Sequence, residues 1–278
     1  MHHKLILIIL DGCRPDGLAQ AHTPHIDALW RGGAYTWSAQ SVMPCISLPA
    51  HMSMFRGVSP ARHGVTDNTF VPAAARFPSV IDLASRAGLH AAMFYDWEEL
   101  RDLAEPGALR LSYYRAYRPG EPPGAVTADA AAAYLGTEQP DLCVLYMGAI
   151  DEVGHAAGWM SPPYLEAIAQ ADDAVGRVLA SCEAAGVREQ CVTLLLADHG
   201  GEGHDHGADT PANMRIPWVL NGPGVRQGHY IQTPVVLYDT AATVAHVLGL
   251  PLPGVGDPMD HSDSAGRWEG RPVYEAFV

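Results

Sequence analysis

Between Asp198 and Thr210 the chain places His199, His204 and His206 among Glu202, Asp205 and Asp209, directly after the apolar run CVTLLLA. Carboxylate oxygen and imidazole nitrogen together suit zinc, with manganese as the alternative. Two further apolar runs end the same way. KLILIIL stops at Asp11, and LCVLYMGAI stops at Asp151, with His155 four residues on in DEVGH. A single strand-end aspartate is as often a helix cap as a ligand. Three of them, with histidines at these offsets, make a donor set for two divalent ions. Two ions roughly 4 Å apart can clamp the attacking and leaving oxygens of a phosphoryl transfer. Ser47 offers a nucleophile where irregular chain enters the helix-like LPAHMSMF. There the N–H groups of a helix start favour an anion. Taken alone, Ser47 reads first as the cap of that helix. Cys45 is a rival nucleophile, with no histidine-and-carboxylate order near it.

These groups need elements to hold them. None of the three apolar runs alternates in polarity, so each reads as a strand buried on both faces of a parallel or mostly parallel sheet. In an open α/β sheet, functional groups gather at the carboxyl ends of the strands, which would bring the three aspartates to one crevice. Helices fill the intervals. TPHIDALWRGG has Thr23 as N-cap, Pro24 in the first turn and Gly32-Gly33 as a stop. SPPYLEAIAQADDAVGRVLASCEAAG spaces its apolar residues at three and four, DTAATVAHVLG runs from Asp239 to Gly249, and TADAAAAYLG reads as a plain helix. Alternating strands and helices give an α/β sandwich. Residues from about 71 to 136 are less regular and include the turn-rich YYRAYRPGEPPG. A small cap or loop insertion is expected there, within a single catalytic domain over 1–278.

The bulk numbers limit the partners. The 278 residues are 48% hydrophobic and 17% charged, which suits one large domain with an ample core. A net charge of -14 argues against a general nucleic-acid or anionic-membrane surface. It does not exclude phosphate, because bound metal ions reverse the local field. MHHKLILIIL has about seven apolar residues before Asp11, too few for a transmembrane helix, and no cleavage site. A cytoplasmic location is therefore expected. The cysteines at 13, 45, 143, 182 and 191 form no CxxC pattern and read as free thiols.

The motifs resemble the alkaline phosphatase superfamily and, within it, the type I phosphodiesterase/nucleotide pyrophosphatase branch. LIILDGCRPD is similar to the opening strand with its metal aspartate, and HTPHIDALWRGGAYTWSAQSVMP to the lead-in that follows. SLPAHMSMFRGVSPARHGVTDN resembles the nucleophile block, with Ser47, Pro49, His51, Gly57, Pro60, His63, Gly64 and Asn68 at the motif positions. DEVGH and ADHGGEGHDHGADTPANMRIPWVLNGPGV resemble the metal blocks, and VVLYDTAATVAHVLGLPLP the C-terminal helix.

The resemblance implies an alkaline-phosphatase-like three-layer α/β/α sandwich with a mostly parallel sheet, and a two-metal phosphohydrolase. Asp11, Asp198 and His199 would hold one ion together with the Ser47 hydroxyl. Asp151, His155 and His206 would hold the other, the ions being Zn2+ or alternatively Mn2+. His206 is preferred to His204 because His-Gly-x-Asp before a later Ile-Pro is the family's pattern for the last ligand. Asn68 would donate to a phosphoryl oxygen beside the Ser47 N–H. Ser47 would attack phosphorus to form a phosphoserine, which water then hydrolyses. The implied substrate is a small-molecule phosphate ester, foremost a phosphodiester or nucleotide-like one. Monoesterase, phosphonate hydrolase and phosphomutase are the alternatives. No basic cluster is evident to hold a mutase's second charged group, and Arg14 and Arg56 read equally as structural. The branch usually carries Thr and Asn where this chain has Ser47 and Ala50. His51 stands where sulfatases carry Arg, which argues against a sulfatase. The complete ligand set argues against a non-catalytic binding protein. His204, Asp205 and Asp209 read as supporting or solvated groups, while Gly200, Gly201, Gly203 and Gly207 would let the ligand loop turn tightly. The chain has little room for the large caps that fix substrate in longer members.

Overall fold

The computed structural model describes residues 3–254 and 266–278. In chain order the first elements are β1 (Lys4–Leu10), α1 (Pro15–Gln20), α2 (Pro24–Arg31), β2 (Ala34–Gln40), α3 (Ser47–Arg56), α4 (Pro60–His63) and α5 (Val80–Arg86). Then come β3 (Ala91–Tyr95), β4 (Leu111–Tyr114), α6 (Ala125–Glu138), β5 (Leu142–Met147), α7 (Ala149–Ala157) and α8 (Pro162–Ala184). The last are β6 (Cys191–Leu196), α9 (Pro211–Met214), β7 (Arg215–Asn221), β8 (His229–Tyr230) and α10 (Asp239–Val247).

The strands form one eight-stranded sheet in the order β4-β3-β5-β1-β6-β7-β2-β8. Pairing is parallel from β4 through β6 and antiparallel on both sides of β7, so β7 alone runs against the rest. The three apolar runs are β5, β1 and β6, neighbours at the centre. Leu10 pairs with Met147, and Ile9 with Leu196, so their carboxyl ends lie level. β5 and β6 are buried throughout and β1 from Leu5 onward, as strands covered on both faces must be. α1, α2, α6 and α7 pack around α8 on one face, while α3, α5 and α10 pack together on the other, giving three layers. Among the described residues no helix is long and apolar enough to cross a membrane. All five cysteines are buried free thiols.

Segment 71–136, where an insertion was expected, contributes β3 and β4 as one edge of the sheet, together with α5 and α6. The strand AAMFY carries no β-branched residue and opens on two alanines, so only its Phe and Tyr favour a strand in sequence. Of the turn-rich stretch, the first two tyrosines belong to β4, and the remainder is the loop to α6.

α2 begins at Pro24 after Thr23, but the Thr23 side chain makes no cap bond. The cap comes from α8. Asp172, fully buried, accepts from His25 N–H at 3.1 Å and Ile26 N–H at 2.7 Å. α3 is buried on every side, polar residues included. Its polar groups are met internally except for His51 Nε2, which is buried without a partner. Ser53 Oγ lies 3.0 Å from His63 Nε2, and Arg56 donates to the carbonyls of Phe77 and Leu103. The helix that starts at Ser47 is thus pinned along its whole length.

Candidate active site

Asp11, Asp151 and Asp198 stand just past the carboxyl ends of β1, β5 and β6, in one crevice between adjacent central strands. Asp11 and Asp198 are buried, while Asp151 is 14% exposed. Each leaves one buried oxygen without a hydrogen-bond partner: Asp11 Oδ1, Asp151 Oδ1 and Asp198 Oδ2. The other oxygens are tied. Tyr146 Oη–H donates to Asp11 Oδ2, and the N–H groups of Gly12 and His199 donate to Asp198 Oδ1 at 3.2 and 2.9 Å. Burial, then the charges of Asp198 and Asp151, hold the Asp11 carboxyl well above its ordinary range. Burial would also raise Asp151, but His155, His199 and His206 bring it below its ordinary value.

Three imidazoles face these carboxylates in one orientation. His199 Nδ1 lies 2.8 Å from Gly200 O, His206 Nδ1 3.0 Å from Cys45 O, and His155 Nδ1 2.9 Å from His204 O. A carbonyl only accepts, so each Nδ1 carries the hydrogen and each Nε2 is turned to the crevice. His199 Nε2 lies 3.1 Å from Ser47 Oγ, 3.4 Å from Asp11 Oδ1 and 3.3 Å from Asp198 Oδ2. His155 Nε2 lies 3.3 Å from Asp151 Oδ2, and His206 Nε2 3.7 Å from Asp151 Oδ1. Asp151 and His155 reach each other because they sit four apart on α7. Beside Asp151 the His155 imidazole is pushed up to about 9, so a proton on Nε2 competes with a metal for that position. Burial and the neighbouring His199 hold His206 below its ordinary value, in the neutral form a metal requires.

Orphaned carboxylate oxygens and inward-facing Nε2 atoms are what divalent cations would satisfy. Asp151, His155 and His206 bring donor atoms within 4.8 Å of one another, as do Asp11, Asp151 and His199. His51 also comes within that range of Asp11 and Asp198. Its Nδ1, the nitrogen 3.6 Å from Asp198 Oδ2, carries a hydrogen donated to Ser47 O at 2.7 Å, and its Nε2 is buried without a partner.

Ser47 is the first residue of α3. The N-cap is Ile46, in an extended conformation, with no cap bond from its own side chain. The hydroxyl is therefore not spent as a cap, and it faces His199. Asn68 Oδ1 accepts from Leu48 N–H at 3.0 Å, which leaves the Asn68 NH2 as donor in the same cavity. Cys45 is buried, its thiol is pushed up to about 12 by burial, and Sγ lies 3.3 Å from Asn213 O. It is poorly suited to be a nucleophile. Arg14 is bound to Asp16 and Gly201 O, and Arg56 is buried in carbonyls, so both are structural.

The loop after β6 uses its glycines in two ways. Gly203 and Gly207 take positive φ, 61° and 114°. Gly200 instead needs its missing side chain, because a Cβ there would lie 2.1 Å from Ala212 O. His204 is turned from the crevice. Its Nδ1 lies 3.0 Å from His155 O while its own carbonyl accepts from His155 Nδ1, a reciprocal clasp between α7 and the loop. His204→Ala is expected to weaken divalent-metal binding at the His155 cluster about tenfold, through a loosened His155. Titration against a chromophoric chelator reads this, with little change in the melting point of the metal-free protein.

The sequence reading missed the walls of this cavity: Asp96, Trp97, Tyr117, Tyr146, Gly148 and Glu152. One signal was present. AAMFYD is a fourth apolar run that ends in an aspartate, Asp96.

Sheet order, layers and site define a class: a three-layer α/β sandwich with a divalent-metal donor set beside a buried serine. The sequence model of the type I phosphodiesterase / nucleotide pyrophosphatase family matches residues 5–214, and the chain belongs to that family, within the alkaline phosphatase superfamily. It is 25% identical over 296 residues to human GPI ethanolamine phosphate transferase 2, catalytic subunit, covering 98% of this chain and 28% of that protein. It is 24% identical over 219 residues to human ectonucleotide pyrophosphatase/phosphodiesterase family member 7, covering 71% and 48%. The chain thus spans less than half the length of either curated relative. The structure of murine ectonucleotide pyrophosphatase/phosphodiesterase 5, an inactive form in complex with AMP, shares the fold. Its TM-score is 0.76 at 16% identity, over 92% of this chain and 97% of that one.

Proposed function

We propose that this chain is a catalytic unit that hydrolyses phosphodiesters through a phosphoserine at Ser47. The observation that carries the reading is the Ser47 hydroxyl held 3.1 Å from His199 Nε2, beside three buried carboxylate oxygens that nothing in the protein satisfies. Asp11, Asp198, His199 and Ser47 would hold one divalent ion, and Asp151, His155 and His206 the other, with zinc favoured by the mixed donors and manganese second. Such ions lower the pKa of a hydroxyl and draw off the charge of the ester oxygens.

The protein's own part is positioning. α3 fixes Ser47 so that Oγ meets phosphorus in line. The Ser47 proton passes to solvent, the Oγ–P bond forms, and the P–O bond to one alcohol breaks, that alcohol leaving with a proton. The Ser47 N–H has no intrahelical acceptor, and with the Asn68 NH2 it can donate to a phosphoryl oxygen. Water then adds to phosphorus, the Oγ–P bond breaks, and Ser47 regains its proton. Diester and water become monoester and alcohol. Hydrolysis of the monoester or of a phosphonate would use the same groups.

Paired initial rates on bis(p-nitrophenyl) phosphate and p-nitrophenyl phosphate test the reading, with protein stripped and reloaded with zinc or manganese. Faster diester cleavage is the expected result. Faster monoester cleavage would make the protein a phosphatase or mutase.

A further inference from the structure

Trp159 lies just past the end of α7 and is buried. Gly158 ends that helix at a φ of 93°, and the chain then turns so that Trp159 N–H donates to Gly203 O at 2.8 Å. Met160, which follows, takes a φ of 65°, a left-handed conformation unfavourable for a residue with a Cβ. The chain accepts it where it sets the indole. The ring passes between two glycines. A Cβ on Gly154 would stand 2.7 Å from the indole Cε2, and one on Gly201 would stand 2.2 Å from the same atom. Gly154 belongs to α7 and Gly201 to the loop after β6. Gly201 is not among the glycines at positive φ, so its part is to make room for the indole and not to turn the loop.

Three segments that carry the proposed ligands meet on this ring. Trp159 Nε1–H donates to Gly12 O at 2.9 Å, next to Asp11. The His155 imidazole stands across the indole, with centroids 5.0 Å apart and planes at 85°. The His206 imidazole stands at 5.9 Å and 69°. Crossed rings at such distances attract. Each imidazole is otherwise held at Nδ1 by one carbonyl, a bond that leaves the ring free to swing about it. The indole supplies a second restraint. His199 has other neighbours: Ser47 Oγ at 3.1 Å and the His206 ring, stacked at 3.8 Å. Gly12 O also accepts from Tyr164 Oη–H at 2.9 Å, so the turn beside Asp11 keeps a donor without the indole.

Resting on the two-ion reading above, we infer that Trp159 is a positioning residue for the ion held by Asp151, His155 and His206. It fixes the pitch of both imidazoles by ring contact, and acts on that ion and not on the one beside Ser47.

The test titrates stripped protein with zinc against a chromophoric chelator, without substrate. The wild type should take up two ions, and His155→Ala identifies the binding step that belongs to this cluster. Trp159→Leu should weaken that step about tenfold or more and leave the other within about threefold. Trp159→Phe, which keeps a ring, should recover most of the lost affinity. Gly201→Ala should weaken the same step by displacing the indole, and should add no more than about twofold on top of Trp159→Leu. Wild-type affinity in Trp159→Leu, a phenylalanine variant as weak as the leucine one, or equal weakening of both steps overturns the inference and leaves the hydrolase standing. If the leucine variant does not fold, wild-type affinity in Gly201→Ala overturns it. Wild-type protein that takes up fewer than two ions overturns the two-ion reading and this inference with it.

Discussion

Ser47→Ala should lower kcat on a phosphodiester by about 10³-fold or more, with the melting point shifted by only a few degrees. The hydroxyl contacts His199 alone among the described side chains, and it caps nothing. Its loss therefore leaves no stranded partner in the core, and the Asn68 bond that caps this helix start at Leu48 N–H is untouched. The cost falls on chemistry, because no other nucleophile is poised there. Cys45 is committed to Asn213 O, so Cys45→Ala should keep turnover within severalfold. Acid-quenched intact-mass measurement with a slow diester gives the direct readout. An ester adduct on the wild type that is missing from Ser47→Ala identifies the covalent site. An adduct that survives the substitution would remove Ser47 from the mechanism.

Stripping the metal with a chelator should abolish turnover and also lower the melting point. Asp11 Oδ1, Asp151 Oδ1 and Asp198 Oδ2 are buried without partners, and the charges of Asp198 and Asp151 act against that of Asp11. Divalent ions would convert that repulsion into attraction at the junction of three central strands. With free ion at about a thousand times Kd, loading stabilises the native state by about 4 kcal/mol. For a domain of this size that is a shift of roughly 8 to 16 °C. A scan of stripped and reloaded protein, repeated with Asp198→Asn, checks it. The variant should lose most of the metal-dependent shift. Stripped and loaded protein that melt together would show that the crevice does not hold metal.

The residues proposed as ligands were legible because each is announced locally. An apolar run buried on both faces cannot continue through a charged residue, so an aspartate at its end marks both the strand's exit and the crevice. Asp151 and His155 add helical spacing, and His199 adjoins Asp198. Asp96 has the same signature, but AAMFY lacks β-branched residues and lies among turns, so β3 went unread and the segment looked like an insertion. Thr23 shows a second limit. Its position at the start of α2 was readable, yet the capping group is Asp172, nearly 150 residues away on α8.

The sequence by itself determined the donor types, the serine at a helix start and the strand–helix alternation, since these depend on residue identity and short spacing. Tertiary structure decided which strands are neighbours, and so which carboxylates share a crevice. It also decided the orientation of each imidazole, because the carbonyls that hold His155, His199 and His206 by Nδ1 come from His204, Gly200 and Cys45. The acidic and aromatic wall opposite Ser47 is likewise a product of folding. Trp97, Tyr117 and Glu152 come from three separate connections, and only closure of the sheet sets them around one cavity.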